Sequence, residues 1–252
     1  NVSNSGEASV RITQVQPQAT PLPNEITFTR LSPSTLPTLL GGDTAAFVYR
    51  VDAGTTPGTF AMNFNITGLD QNDSRTIGPQ ASPTPATLII NQPGTIVVDS
   101  VVIVQRTVSV GQTDIPVTVY VRNGGEMPVT VNNIHLLFNG SFSGFAQEPQ
   151  GSMYFNLDGG QSTTREFLIS VLESAPPTTV VDARSTGIEQ NLQTNLEALA
   201  NLKDTLTVLG ASRLRIYSVN SAYDSVSRGQ SGINVRVRIR NNGGTTALLD
   251  TL

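Results

Sequence analysis

The stretch Val117-Thr118-Val119-Tyr120-Val121-Arg122-Asn123-Gly124-Gly125 decides the fold. Its valines fall at every second position, so an extended strand would turn one apolar face to a core and one polar face to water. Asn-Gly followed by Gly tolerates positive φ and predicts a tight turn into the next strand. Beyond that turn the alternation resumes at Val129 and Val131.

The same pattern returns as Val235-Arg236-Val237-Arg238-Ile239-Arg240-Asn241-Asn242-Gly243. Set without a gap, Val98–Ile134 lies over Ile216–Leu252 at a constant offset of 118. Ser100, Val101, Val108, Ser109, Gly111, Gln112, Ile115, Val117, Val119, Arg122, Asn123 and Gly125 all meet identical residues. Twelve identities with the alternation in phase identify an internal repeat. The start of the chain matches the middle of the same unit: Val2-Ser3-Asn4-Ser5-Gly6-Glu7 lies over Val121–Glu126 at an offset of 119. Thr67-Gly68-Leu69-Asp70-Gln71-Asn72 likewise lies over Thr186-Gly187-Ile188-Glu189-Gln190-Asn191.

The sequence therefore predicts three pieces: 1–94, an immunoglobulin-like repeat without its first two strands; 95–210, a complete repeat; and 211–252, the front of the next. Seven strands are expected in the complete unit, near 97–104, 115–122, 128–137, 152–157, 163–172, 178–185 and 203–209. Short alternating strands at that density read as an all-β, immunoglobulin-like sandwich, here in tandem and head to tail. Almost no linker separates the pieces, so the array is expected to be stiff. One short helix is expected in a crossover of the central domain, because Ile188, Leu192, Leu196 and Leu199 recur at three- and four-residue spacing. With prolines 79, 83 and 85, the matching stretch of the first copy, Gly68–Ala86, cannot be helical throughout.

The two partial copies leave two explanations open. The chain is a window of a longer covalent array, or the front strands of one subunit complete the first copy of the next, as in donor-strand complementation. In the second case Val219, Ile233, Val235, Val237 and Ile239 are the inward residues of the completing strands. Either way the contact is heterologous and open, which predicts a filament.

Composition narrows the function. The 252 residues carry a net charge of −4, with 13% charged, no cysteine and one lysine, Lys203. An acidic balance argues against nucleic acid as a partner, and no apolar run is long enough to span a membrane. No signal peptide is read in this piece. The absence of cysteine removes disulfides, thiolate metal sites and thiol nucleophiles. His135 is a lone histidine with no G-x-S-x-G elbow in the chain, so it reads as structural. Asp70-Gln71-Asn72-Asp73-Ser74 has the look of a calcium loop but lacks its glycine and its final acid, so a capped turn is expected. No catalytic, metal or cofactor site is expected. Arg236, Arg238 and Arg240 read as a solvated stripe, or as partners of acids across the strand. The sequons at Asn1, Asn65, Asn72 and Asn139 are candidate glycosylation sites, all expected in turns or at strand ends.

The pattern V-x-V-x-[VI]-R-N-x-G, carried by Val117–Gly125 and Val235–Gly243, resembles the CARDB-like repeats, the cell adhesion related domain found in bacteria. Gly111-Gln112 and Gly229-Gln230 fit it too. The resemblance covers the front half of each unit. It implies immunoglobulin-like repeats of large exported surface proteins of bacteria and archaea, and brings no catalytic residue. The expected role is thus a structural segment of an extracellular filament, stalk or adhesin-like surface protein, whose partners are further copies or neighbouring repeats. The alternative is a module binding carbohydrate, or a cell-surface protein, through end loops such as Asn139–Gln150 with Phe142 and Phe145.

Overall fold

The computed structural model describes residues 1–250. The chain divides into two compact units, Asn1–Gln92 and Pro93 onward. The residues expected as a third piece, from 211, are grouped with the second unit. Among the described residues the secondary structure is nearly all β, with one 3-10 turn at Pro23–Glu25.

The first unit holds β1 (Val2–Ser3), β2 (Val10–Thr20), β3 (Ile26–Ser32), β4 (Thr38–Leu39), β5 (Thr44–Ala45), β6 (Val48–Ala53), β7 (Gly58–Asp70), β8 (Thr76–Ala81) and β9 (Ala86–Ile90). The second holds β10 (Ile96–Ile103), β11 (Thr107–Ser109), β12 (Ile115–Asn123), β13 (Val129–Phe138), β14 (Phe145–Pro149), β15 (Phe155–Leu157), β16 (Ser162–Val171), β17 (Thr178–Glu189), β18 (Asn195–Leu202), β19 (Asp204–Leu209), β20 (Leu214–Ser221) and β21 (Val235–Asn241).

In the second unit β14, β16, β12 and β10 pair in that order, and β15, β13, β17, β19 and β11 form the facing set. The alternation of β12 works as read: Ile115, Val117, Val119 and Val121 are buried, with Pro116 and Tyr120 exposed between them. They meet Val131, Ile134, Leu136, Phe167, Ile169 and Val181 in one core. Phe138 and Phe145 stack at 4.4 Å at one end of it.

The helix expected within 187–203 is not formed. That stretch is the end of β17, a turn, and β18, with Gly187 opposite Leu196 and Arg184 opposite Leu199. The period of two wins over the leucine spacing. Leu196, Ala198 and Ala200 turn inward, whereas Leu192 and Leu199 are exposed. A strand also uses backbone groups that a helix would withdraw: β18 runs parallel to β10, with Val98 opposite Ala200 and Ser100 opposite Leu202. By pairing with both β17 and β10, β18 closes one edge between the two sets of strands.

Register recurs along the chain. The β10–β12 ladder pairs Ile96 with Asn123 and Ile103 with Val117, and slips between Val98 and Ser100. The β20–β21 ladder pairs Leu214 with Asn241 and Ser221 with Val235, and slips between Ile216 and Ser218. Each of these positions is displaced by 118 residues, the irregularity included. In the first unit, Ser3 opposite Thr44 matches Arg122 opposite Ser162, and Gly68 opposite Ile77 matches Gly187 opposite Leu196.

One buried side chain ties the second unit together. Asn123 Oδ1 accepts from Thr95 N at 3.1 Å and Gly125 N at 2.9 Å, and its Nδ2 donates to Met127 O at 2.8 Å and Leu157 O at 3.2 Å. Asn123→Ala would leave several of these backbone groups buried without partners, and we expect a loss of about 2–4 kcal/mol in urea unfolding. The matching substitution Asn241→Ala lies at the exposed end of β21 and should cost less than half as much.

Candidate functional site

The apolar residues expected on completing strands are poorly covered. Val219, Val235 and Val237 are exposed, and Ile233 and Ile239 are only partly covered. Their counterparts 118 residues earlier, Val101, Val117, Val119, Ile115 and Val121, are all buried. Val237 is 47% exposed where Val119 is 0%, and Ile216 is 61% exposed where Val98 is 0%. Among the described residues, β20 and β21 pair only with each other.

The first unit has the reciprocal feature. A cavity of about 720 Å³ opens into it, lined by Ile12, Val15, Leu39, Tyr49, Phe64 and Ile66 among others. At the same places the second unit has Val131, Ile134, Leu157, Phe167, Ala183 and Ser185, all buried. What covers them there is β10 and β12, which have no full counterpart among the described residues of the first unit. Consequently β1–β5 and β3–β6 are separate two-stranded pieces, whereas β12 in the second unit pairs with β16 over eight consecutive residues and joins the corresponding regions.

Asn72 lies exposed in the β7–β8 turn, and its backbone N–H is held by Asp70 Oδ1 at 2.8 Å. Arg75 N is held in the same way by Asp73 at 2.9 Å, so the acids of the calcium-like stretch cap a turn. Among the described residues no cluster of three or more His, Asp or Glu side chains could hold a metal ion. Asn139, exposed and at φ 50°, uses its amide on β17, accepting from Val180 N at 2.8 Å. Asn65 is not in a turn: it sits inside β7 between Gln16 of β2 and Ala81 of β8. Asn1 precedes β1 at the rim of the cavity.

Arg236, Arg238 and Arg240 stand opposite Asn220, Ser218 and Arg215. Among the described residues no acid faces them across the strand, so that half of the expectation is corrected. The stripe is a solvated one, because the hairpin has water on both faces. Phe145 is buried against Phe138, while Phe142 is exposed with its ring 5.6 Å from that of His135. The two phenylalanines of the end loop therefore do not form a shared platform for a sugar.

Two buried acids escaped the sequence reading. Asp182 accepts from Ala200 N at 3.1 Å and pairs with Lys203 at 2.7 Å. Asp204 accepts from Ile103 N at 3.0 Å and pairs with Arg106 at 2.9 Å. Both tie β10 and β18 to β17 or β19 at one end of the core.

No family model matches the chain, and no curated protein does. Among solved structures it is similar to BcpA, the major pilin subunit of Bacillus cereus, at 10% identity and a TM-score of 0.29, over 91% of this chain and 85% of that one. It is also similar to AvmM, which catalyzes macrocyclization in alchivemycin A biosynthesis, at 10% identity and a TM-score of 0.29, over 48% of this chain and 90% of that one. At such scores neither likeness transfers a function. Among the described residues no helix is long and apolar enough to cross a membrane.

Two titrations test this geometry. Burial, and after it the Arg184 guanidinium across the strand, hold His135 below its ordinary value. The fold thus prefers neutral His135, and the stability this gives is present above about pH 6.5 and falls as pH drops through the folded value. As the chain's one histidine, it should titrate in NMR below a free imidazole, and Arg184→Gln should raise its midpoint. For Asp204, burial pushes upward, but the N–H groups of Ile103 and Thr205 and the Arg106 guanidinium outweigh it and hold the carboxyl low. Its contribution is present above the ordinary carboxylate range and is lost as pH falls through the folded value. Asp204→Asn should flatten the acid limb of a stability-against-pH curve.

Proposed function

We propose that the chain is a structural segment of an extracellular filament or stalk, built from CARDB-like, immunoglobulin-like sandwiches that continue head to tail. The observation that carries this reading is the recurrence of register. A ladder of seven residue pairs returns 118 residues later with its irregularity at the same place, and the β7–β8 hairpin has its counterpart in β17–β18. Such a spacing is that of one repeated unit, and a repeated unit stacked end to end makes a quasi-linear object. The complete copy, β10 to β19, has its own core and packs it with the alternation of a sandwich.

The chemistry of the chain supports a mechanical role. Polar side chains are spent on caps and turns: Asn4, Asn123 and Asn241 on backbone groups, Asp70 and Asp73 on a hairpin turn. A thiol-free, weakly charged composition suits an exported fibre, which gains nothing from free cysteine outside the cell. Binding by such a segment would come from avidity along the array or from other domains.

Electron cryomicroscopy of the native assembly tests the proposal. A continuous row of beads, one per unit of about 118 residues, is the expected image. A compact isolated particle would overturn it.

A further inference from the structure

We propose that Asn139 is a site of spontaneous deamidation, selected by the fold and not by its Asn-Gly pair alone. Nothing in this chemistry depends on how copies of the chain meet.

An asparagine followed by glycine can lose its side-chain amide to its own backbone. The glycine nitrogen attacks the asparagine Cγ and closes a five-membered succinimide ring, a unimolecular step whose rate depends on how the two atoms are held. The Cγ–Nδ2 bond breaks. The proton of the glycine N–H passes through water to the departing amide, which leaves as ammonia. Water then opens the ring at either carbonyl, giving aspartate or isoaspartate. No oxidant or reductant enters.

The chain has three such pairs, Asn123-Gly124, Asn139-Gly140 and Asn242-Gly243. In two of them the attacking nitrogen is already engaged. Gly124 N donates to Thr95 O at 2.9 Å, and the buried Asn123 amide is held by its four bonds. Gly243 N donates to Asn241 Oδ1 at 2.9 Å. Among the described residues Gly140 N has no such acceptor. The space around it is open too, since a Cβ on Gly140 would meet nothing within 4 Å.

The other atoms of the step are placed to match. Asn139 and Gly140, at φ 50° and 75°, are the two central residues of a tight turn. Phe138 N donates to Ser141 O at 2.6 Å and Ser141 N to Phe138 O at 3.0 Å across it. Asn139 Oδ1 accepts from Val180 N at 2.8 Å. Negative charge gathers on that oxygen when Cγ is attacked, so the donor stabilises the tetrahedral intermediate. The leaving Nδ2 is held only loosely, 3.5 Å from Thr178 O on an exposed residue.

Conversion changes the loop. Isoaspartate adds a methylene to the main chain, so the Phe138–Ser141 pair no longer closes over two residues. Phe142, whose ring lies 5.6 Å from that of His135, is carried by the same loop and loosens with it. The sequon Asn139-Gly140-Ser141 is lost at the same time.

Peptide mapping of the complete folded chain, aged in mildly alkaline buffer, tests the site, with Asn139→Asp marking the aspartate product. Asn139 should convert at least fivefold faster than Asn123 and Asn242. In urea, where the turn is gone, the three should convert at rates within twofold of one another. In the folded chain the NMR signal of His135 should split in step with conversion at position 139. Equal rates at the three positions in the folded chain, a faster Asn242, or the same order of rates in urea would overturn selection by the fold. A His135 signal that stays single while Asn139 converts would overturn the effect on the loop.

Discussion

The second unit depends on the amide of Asn123. An asparagine side chain offers two donors and two acceptor positions, and here all four are used on backbone groups. The bonds reach the approach to β10, the turn after β12 and the end of β15, three segments that no single ladder holds together. Aspartate would turn an acceptor toward the carbonyls of Met127 and Leu157, and glutamine would carry the amide too far. The residue is therefore fixed by its partners, which is why Asn4, Asn123 and Asn241 stand at equivalent places. Backbone bonds trace the same corner: Gly124 N donates to Thr95 O, and Asn242 N to Arg213 O.

With the corner fixed, β12 becomes the strand on which the rest is hung. It pairs with β10 on one side and β16 on the other, and its inward valines contribute to the centre of the core. Among the described residues the first unit has only β1 in that place, and β1–β5 and β3–β6 are separate pieces there. β5 and β6 no longer share a partner, and Val51 is 37% exposed where Ile169 is 0%. The same residue types thus form a continuous core or an open cavity, depending on one strand pair.

Much of this was legible because alternation and turn chemistry are local. Val117 to Gly125 states both a strand and its end, and every strand expected in the complete unit has a counterpart among those observed. The helix was misread for a definite reason. Ile188, Leu192, Leu196 and Leu199 fit a helical face, but Leu196, Ala198 and Ala200 fit a strand as well, and alanines carry little weight in an apolar pattern. The arbiter lay elsewhere in the chain. The prolines at 79, 83 and 85 already kept the equivalent place from being helical throughout, and a shared register is stronger than local spacing. The ion pairs of Asp182 and Asp204 were illegible because their partners, Lys203 and Arg106, lie 21 and 98 residues away with no local pattern to join them.

Edge chemistry sets the first unit apart from the second. In the second unit the parallel contact of β18 with β10 uses Ala200 and Leu202. At an offset of 119, the matching residues of the first unit are Ala81 and Pro83, with Pro79 in place of Ala198. Proline donates no backbone hydrogen bond, so the edge of β8 offers few rungs to an incoming strand. The β6 edge, from Val48 to Ala53, has no proline and keeps its full set. A strand with the wrong alternation would put polar side chains against Ile12, Leu39 and Phe64, and a one-residue slip would do the same.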